Sequence, residues 1–520
     1  MSTEETTAIP DVLQRIVTRR RGRLTATGSG DGPTQGISLR AGTRIGGARV
    51  RPFPGALICE IKRRSPSRGA LAQELNPTTQ ADAYITAGAT AISVLTEQDH
   101  FSGSLQDLIT VREHNQNIAL LRKDFLLTPE DIDVAWRAGA DAVLLIAAIL
   151  DLSTLTALHQ RARELGLAAL VEVHTAEEVE KIRPLAPPLV GINARDLRTF
   201  TVDLLQPLAL REQITWPATV VFESGIFRRD EAQLAKGGGF DALLVGEAVV
   251  KNPAVIPVLR TEMERPLPAA AEEHFWSYIA RRRSTGNQRH RPLVKICGIT
   301  NLTDAREAAT LGADVLGLVY APSPRQAPST LAAELSSAVH AQWLPPRVGV
   351  VVYGPPGSEE ARAFQQAISD LTAGHLAALQ VHKLPEPLTE EITTMLPWPW
   401  YPGISLPGEE GDAQGIAERI AQRIAQYYPP RILIDAWHRD KAGGTGEQIP
   451  HATLAAYTAA LAAEKRPGLW LAGGLAPENI RAVVRQWQPE LIDLSSRLES
   501  EPGQKDPARM AALFQQLEEL

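Results

Sequence analysis

At 520 residues, with 44% hydrophobic and 22% charged residues, the chain is too long for one ordinary domain and too ordinary in composition to be disordered or fibrous. A formal net charge of -7 and a single short basic run without interleaved aromatics, Arg19-Arg20-Arg21-Gly22-Arg23, argue against nucleic acid as a partner. Cys59 and Cys297 lie too far apart in sequence to suggest a disulfide framework, and the longest apolar run, Ala142 to Leu150, is too short for a bilayer, so a cytoplasmic protein without membrane contact is expected.

In chain order, Pro10 to Arg21 carries a helical pattern, and the Gly-rich passage Thr27 to Gly32 neither follows a strand nor opens a helix, so it reads as a linker rather than a phosphate loop. From Leu57 onward, short Val-, Ile- and Leu-rich runs alternate with longer amphipathic stretches, the pattern of repeated βα units. Eight strands are predicted: Leu57 to Lys62, Ala91 to Thr96, Ala119 to Lys123, Ala142 to Ala147, Ala168 to Val173, Leu189 to Asn193, Thr219 to Glu223 and Ala242 to Val245. The polar, breaker-rich passage Arg281 to Gln288 marks a boundary, giving domains at 1–258 and 292–520 with a linker over 259–291. A second series follows at Val294 to Cys297, Val315 to Tyr320, Val348 to Val352, Ala377 to Val381, Tyr401 to Leu406, Ile432 to Asp435, Leu469 to Ala472 and Leu491 to Leu494. Its fifth member is the weakest, because Pro397, Pro399 and Pro402 crowd it and proline cannot donate to a sheet ladder. The expected fold is therefore α/β, two tandem (β/α)8 TIM barrels, each near the usual size for such a barrel.

A strand alternates its side chains, so Glu60 and Lys62 share one face while Cys59, read as an inert small hydrophobe, takes the other. Taking the residue at each strand's carboxyl end adds Lys123, Glu172, Asn193 with Arg195, Glu223 with Ser224, and Gly246 with Glu247. One charged strand end could be a solvated edge, but charges repeating around the face where parallel barrels place their chemistry point to a site. Ser65, in the loop after the first strand, belongs to the same mouth. Crowded lysines can serve as general acids and adjacent glutamates as proton carriers, while Gly225 and Gly246 lie where barrels commonly hold a phosphate on backbone amides.

The segments Cys59 to Gly69, Leu121 to Phe125, Val171-Glu172-Val173-His174, Gly191 to Leu197 and Phe222 to Ile226 resemble, in type, spacing and order, the indole-3-glycerol phosphate synthase family. The resemblance implies ring closure of a carboxyphenylamino-deoxyribulose phosphate, with loss of carbon dioxide and water. It would make Lys123 the acid on the ketone and Glu172 the carrier of the proton lost in dehydration, with Lys62, Glu60, Asn193 and Glu223 completing the site. Arg195 would meet the anthranilate carboxylate, and Ser224, Gly225 and Gly246 the phosphate. A different reading makes Lys123 the Schiff-base nucleophile of an aldolase-like barrel.

In the second half, Cys297 and Asp435 end two predicted strands, and a base and an acid at separate strand ends are what proton shuttling between adjacent carbons needs. Gly473 and Gly474 after the seventh strand and Ser495 and Ser496 after the eighth repeat the phosphate pattern, and the Gly443 to Gly446 loop reads as a substrate cover. Lys295 to Thr300, Ser323-Pro324-Arg325, the Gly444 loop and Leu471 to Leu475 resemble phosphoribosylanthranilate isomerase. That resemblance implies an Amadori rearrangement with Asp435 as acid, Cys297 as base and Arg325 on the anthranilate carboxylate. Arg497 and Lys383 depart from the family pattern, and with the proline-rich strand they motivate a competing reading in which this half is a non-catalytic scaffold. Neither reaction calls for a metal or organic cofactor, and no residue cluster has metal-ligand spacing. The partners expected are phosphorylated small molecules, and the chain is expected to act as a monomer.

Overall fold

The apolar runs of the first half become eight parallel strands: β1 (Leu57–Ile61), β2 (Ala91–Leu95), β3 (Ala119–Lys123), β4 (Ala142–Ile146), β5 (Ala168–Val173), β6 (Leu189–Asn193), β7 (Thr219–Glu223) and β8 (Ala242–Val245). Each pairs with its neighbours in chain order and β8 pairs with β1, so the sheet closes. The strands are almost wholly buried because helices cover one face and barrel filling the other, which is why they read as continuous apolar runs rather than alternating ones. The chain divides into two compact units, Met1–Leu267 and Pro268–Leu520. In this computed structural model the described residues are 11–26, 34–47, 50–53, 55–65, 69–70, 75–196, 199, 201–266, 274–286, 291–339, 344–385, 396, 399–407, 415, 430–437, 449–463 and 468–520.

The second unit closes another barrel from β9 (Leu293–Cys297), β10 (Val315–Val319), β11 (Arg347–Val352), β12 (Ala378–His382), β13 (Trp400–Pro407), β14 (Leu433–Trp437), β15 (Trp470–Ala472) and β16 (Leu491–Leu494), again in chain order. The strand expected to be weakest, β13, is eight residues long and paired on both sides, with Pro402 opposite Val381. Pro402 removes one ladder donor, but its carbonyl remains, and burial of the adjacent Trp400 and Tyr401 outweighs a single lost hydrogen bond.

The segment 259–291, expected as a linker, holds most of the helix Val255–Glu264 and all of the helix Phe275–Gly286. Phe275 lies parallel to Tyr401, with ring centroids 6.1 Å apart, and Trp276 packs on Trp470 at 5.8 Å. The apolar run Phe275-Trp276-Ser277-Tyr278-Ile279 is a helix signal that the polar Arg281 to Gln288 passage obscures in a composition reading. The N-terminal helix runs over Asp11–Ala26, longer than expected. Its buried stripe, Leu13, Ile16, Val17 and Arg20, has helical spacing, and Arg20 Nη2 donates to Asp131 Oδ1 at 2.7 Å.

A repeated device registers the strands from below. Asp141, Asp241 and Asp314 each stand immediately before a strand and accept from a backbone N–H of the neighbouring strand, namely Leu120 at 2.9 Å, Val220 at 2.8 Å and Val294 at 2.9 Å. Asp141 also binds Arg44 Nη2 at 2.7 Å, the Arg112 guanidinium and the Arg51 backbone N–H at 3.0 Å. Its side chain is fully buried, as are those of Arg44 and Arg112, so removing the carboxylate strands two buried cations. Asp141→Ala is expected to destabilise the first barrel by about 3–5 kcal/mol, seen as a lowered thermal unfolding transition. An unchanged transition would show that the arginines find other partners.

Candidate active sites

The register of the first barrel brings its charged strand ends to one level. Lys123 lies opposite Leu95, Glu172 opposite Ile146, and Glu223 opposite Asn193. Lys123 Nζ donates to Glu223 Oε2 at 2.8 Å and to Glu172 Oε2 at 3.3 Å, while Lys62 Nζ pairs with Glu60 Oε1 at 2.7 Å. Two glycines make room for these groups. A Cβ at Gly191 would overlap the Glu223 carboxylate, and one at Gly246 would meet Glu60 and Lys62.

These residues line a cavity of about 150 Å³ together with Asn193, Arg195, Ser224, Gly225, Gly246 and Glu247. Leu95, Phe101, Phe125, Leu144 and Ile146 supply an apolar wall, so the cavity offers a ring-sized hydrophobic face beside a charged one. That wall was missed in the sequence, although Leu95, Leu144 and Ile146 occupy the inward-facing strand positions. Asn193 Oδ1 accepts from the Arg195 backbone N–H at 3.0 Å, which fixes the turn out of β6. Ser224 (φ 69°) and Gly225 (φ 77°) are both left-handed in the turn after β7, the place where parallel barrels commonly hold a phosphate on backbone amides. For Ser224 that conformation is strained, as such outliers at functional sites often are. Glu247 is held by Lys251 at 2.7 Å. Ser65 pairs with Gly69 in a two-residue antiparallel ladder.

Burial penalises the Lys123 ammonium, but Glu223, Glu172 and Glu60 more than reverse this and its pKa is raised. Lys123 is therefore a charged acid, contrary to the neutral amine an aldolase-like nucleophile needs. Burial likewise acts against ionised Glu60, yet Lys62 and Lys123 hold it below the usual carboxylate range. The two acids on Lys123 separate. Burial opposes ionised Glu172, but Lys123 and His174 hold it low; burial and the charge of Glu172 push Glu223 up to about 8 despite Lys123. Glu172 is thus a carboxylate and Glu223 a proton holder at neutral pH.

In the second barrel, Cys297 ends β9 and Asp435 stands partly exposed on β14. Burial pushes the Cys297 thiol up to about 11 although Lys295 and Lys505 oppose this, so it rests protonated and must ionise before it can act as a base. Beneath it, buried Lys295 Nζ donates to Asp493 Oδ2 at 2.6 Å and to Gln380 Oε1 at 2.5 Å, a pair the sequence reading overlooked. Arg325 Nε meets Glu499 Oε2 at 2.8 Å, and Lys505 Nζ meets the other oxygen of Glu499 at 2.8 Å and the Cys297 carbonyl at 2.6 Å. Arg325 therefore already has one carboxylate partner. Gly473 (φ 93°) and Gly474 (φ 62°) form a left-handed turn, and Ser495 and Ser496 follow β16. Arg497 is exposed, whereas Lys383 takes φ 55°, a left-handed conformation that favours glycine. Gly444 and its loop lie outside the described residues, as does the Thr27 to Gly32 passage.

Residues 49–261 match the family model for indole-3-glycerol phosphate synthase. The enzyme of that description from Acidithiobacillus ferrooxidans is 39% identical over 249 residues, 46% of this chain and 94% of its own. The chain belongs to the indole-3-glycerol phosphate synthase family. Residues 294–516 match the family model for N-(5'phosphoribosyl)anthranilate (PRA) isomerase, so a synthase-family barrel is fused to an isomerase-family barrel. The multifunctional tryptophan biosynthesis protein of Schizosaccharomyces pombe is 29% identical over 496 residues, 91% of this chain. That of Phycomyces blakesleeanus is 30% identical over 519 residues, 90% of this chain. The chain spans 60% and 63% of the length of these two relatives. The crystal structure of phosphoribosyl anthranilate isomerase from Thermus thermophilus is 31% identical, with 43% of this chain and 98% of that one covered and a TM-score of 0.33.

The synthase-family site makes a signed prediction about stability. Glu223 keeps its proton to about pH 8 in the folded barrel but only to its ordinary 4.5 when unfolded, so its contribution is complete below 4.5 and is lost as pH rises through about 8. Relative to the parent, Glu223→Gln should gain stability between pH 4.5 and 8 and then level off. Thermal melts of the two proteins across that range check this, and a pH-independent difference would contradict it.

Proposed function

We propose that the chain catalyses two consecutive steps, with the second barrel making the substrate of the first. Lys123 carries the reading: it is an ammonium held between an ionised and a protonated carboxyl, at the mouth of a synthase-family barrel with an apolar wall.

In the first barrel the substrate is 1-(2-carboxyphenylamino)-1-deoxyribulose 5-phosphate. Its anthranilate ring lies on the Phe101 and Phe125 side and its phosphate on the Ser224, Gly225 and Gly246 amides, with Arg195 on the carboxylate. The ring carbon bearing the carboxylate attacks the ketone carbon while Lys123 protonates the ketone oxygen. The new carbon–carbon bond is followed by cleavage of the carboxylate as carbon dioxide. The former ketone oxygen then leaves as water, with Lys62 as the second acid and Glu172 accepting a proton from the methylene between the nitrogen and the former ketone carbon. Glu60 keeps Lys62 in place, and Asn193 and Glu223 complete the polar rim. The product is indole-3-glycerol phosphate.

In the second barrel, N-(5'-phosphoribosyl)anthranilate binds its phosphate at Gly473, Gly474, Ser495 and Ser496. Asp435 protonates the ribose ring oxygen, which opens the ring to an iminium. Cys297, once ionised to its thiolate, removes the proton from the sugar's second carbon, and the resulting enol tautomerises to the ketone. Arg325 meets the anthranilate carboxylate through the guanidinium nitrogens that Glu499 leaves. Because the thiol is pushed up to about 11, this half should speed up as pH rises through neutrality. Both steps belong to tryptophan biosynthesis. We read the chain as a cytoplasmic monomer acting on phosphorylated small molecules without nucleic acid, and among the described residues no helix is long and apolar enough to cross a membrane.

The intact chain, supplied with each substrate separately, tests the assignment. Lys123→Met should lower ring closure by ~10²–10⁴-fold and leave isomerisation at the parental rate, and Cys297→Ala should do the reverse. Parental ring closure by Lys123→Met, or parental isomerisation by Cys297→Ala, would overturn the corresponding half.

A further inference from the structure

His174 follows β5 directly, two residues after Glu172, and is a buried titratable group that the proposed chemistry does not otherwise use. Its Nε2 lies 3.3 Å from Glu172 Oε1, whereas the other oxygen, Oε2, is the one that faces Lys123 at 3.3 Å. On the far side, its Nδ1 lies 3.4 Å from Glu178 Oε2, and that same oxygen accepts from the His174 backbone N–H at 2.7 Å. Gln206 Nε2 donates to the His174 carbonyl at 2.5 Å. Backbone and ring are therefore both held on the Glu178 side, and the ring's far nitrogen stands at ion-pair distance from Glu172 without a hydrogen bond.

We infer that His174, backed by Glu178, is the positioning residue that fixes the Glu172 carboxylate for its part in ring closure and dehydration. The inference rests on the synthase reading of this site. Each oxygen of Glu172 faces a different cation, so turning the carboxylate away from Lys123 also draws Oε1 away from the His174 charge. Burial alone would discharge the imidazole, but Glu172 and Glu178 hold it charged, raised to about 10. The groups facing Glu172 are then His174 and Lys123 as cations, and Glu60 and Glu223 as acids. Taking away His174 leaves Glu172 with one cation and two acidic neighbours, so its proton affinity rises. Glu178 also serves the start of the helix Ala176–Ile182, which is capped by Thr175. That local role explains the contact with the His174 backbone but not the approach to the ring.

The test uses the intact chain supplied with the deoxyribulose intermediate. His174→Asn should lower kcat for ring closure by ~10–100-fold with little change in KM, the scale on which loss of an orienting partner acts. It should also move the acid limb of the kcat profile to higher pH. Glu178→Gln should shift the same limb in the same direction by a smaller amount, and it keeps the test open if His174→Asn fails to fold. A parental kcat and pH profile in a folded His174→Asn protein would overturn the inference, as would a drop in kcat with the acid limb unmoved. A parent that does not convert the intermediate would instead overturn the synthase reading itself.

Discussion

One buried ammonium sets the charge of the first barrel's mouth. Lys123 Nζ sits within hydrogen-bonding distance of both Glu172 and Glu223, and it attracts Glu60 as well. A single cation cannot keep two buried carboxylates ionised at close range, so the pair separates into an anion and an acid. The outcome depends on what stands behind each one. Glu172 has the His174 ring nitrogen 3.3 Å from its other oxygen, whereas Glu223 faces Lys123 with the charge of Glu172 set against its own ionisation. The same arrangement places an ammonium, a carboxylate and a protonated carboxyl side by side.

This crowding is possible because the scaffold below it is fixed independently. Eight parallel strands deliver their carboxyl ends to one rim, and register decides which side chains meet there. The register is pinned at the opposite end, where Asp141 and Asp241 hold neighbouring strands by their backbone N–H groups. Glycine then supplies the room: Gly191 accommodates the Glu223 carboxylate and Gly246 the Glu60–Lys62 pair. Stability sits at one end of the barrel and reactivity at the other, so the charged mouth can be strained without unravelling the sheet.

Much of this was legible in the sequence because barrel strands buried on both faces are short, apolar and evenly spaced. β3, β5, β6, β7, β8 and β16 begin and end at the residues expected from those runs. Period-two alternation put Glu60 and Lys62 on one face, and reading the residue at each strand's carboxyl end gathered Lys123, Glu172, Asn193 and Glu223, which line one cavity with them. Four features resisted. β13 was undervalued, because the local cost of proline was visible while the burial of Trp400 and Tyr401 around it was not. The Phe275–Gly286 helix lay hidden in a segment judged by its arginines. The protonation of Cys297 and Glu223 is invisible to any motif, because it depends on burial and on charges brought in from distant strands. His174 stood in plain sight next to Glu172, but its role needs the position of Glu178 one helical turn further on.

The central claim is that Lys123 holds two carboxyls in unlike states, and infrared difference spectroscopy of the intact chain reads that directly. At neutral pH the parent should show a protonated carboxyl stretch that disappears in Glu223→Gln, persists in a variant altered at a remote carboxylate such as Glu164, and titrates away near pH 8. A parent spectrum in which Glu223→Gln removes only an ionised carboxylate band would show that both acids are charged, and the account of the mouth would then be wrong.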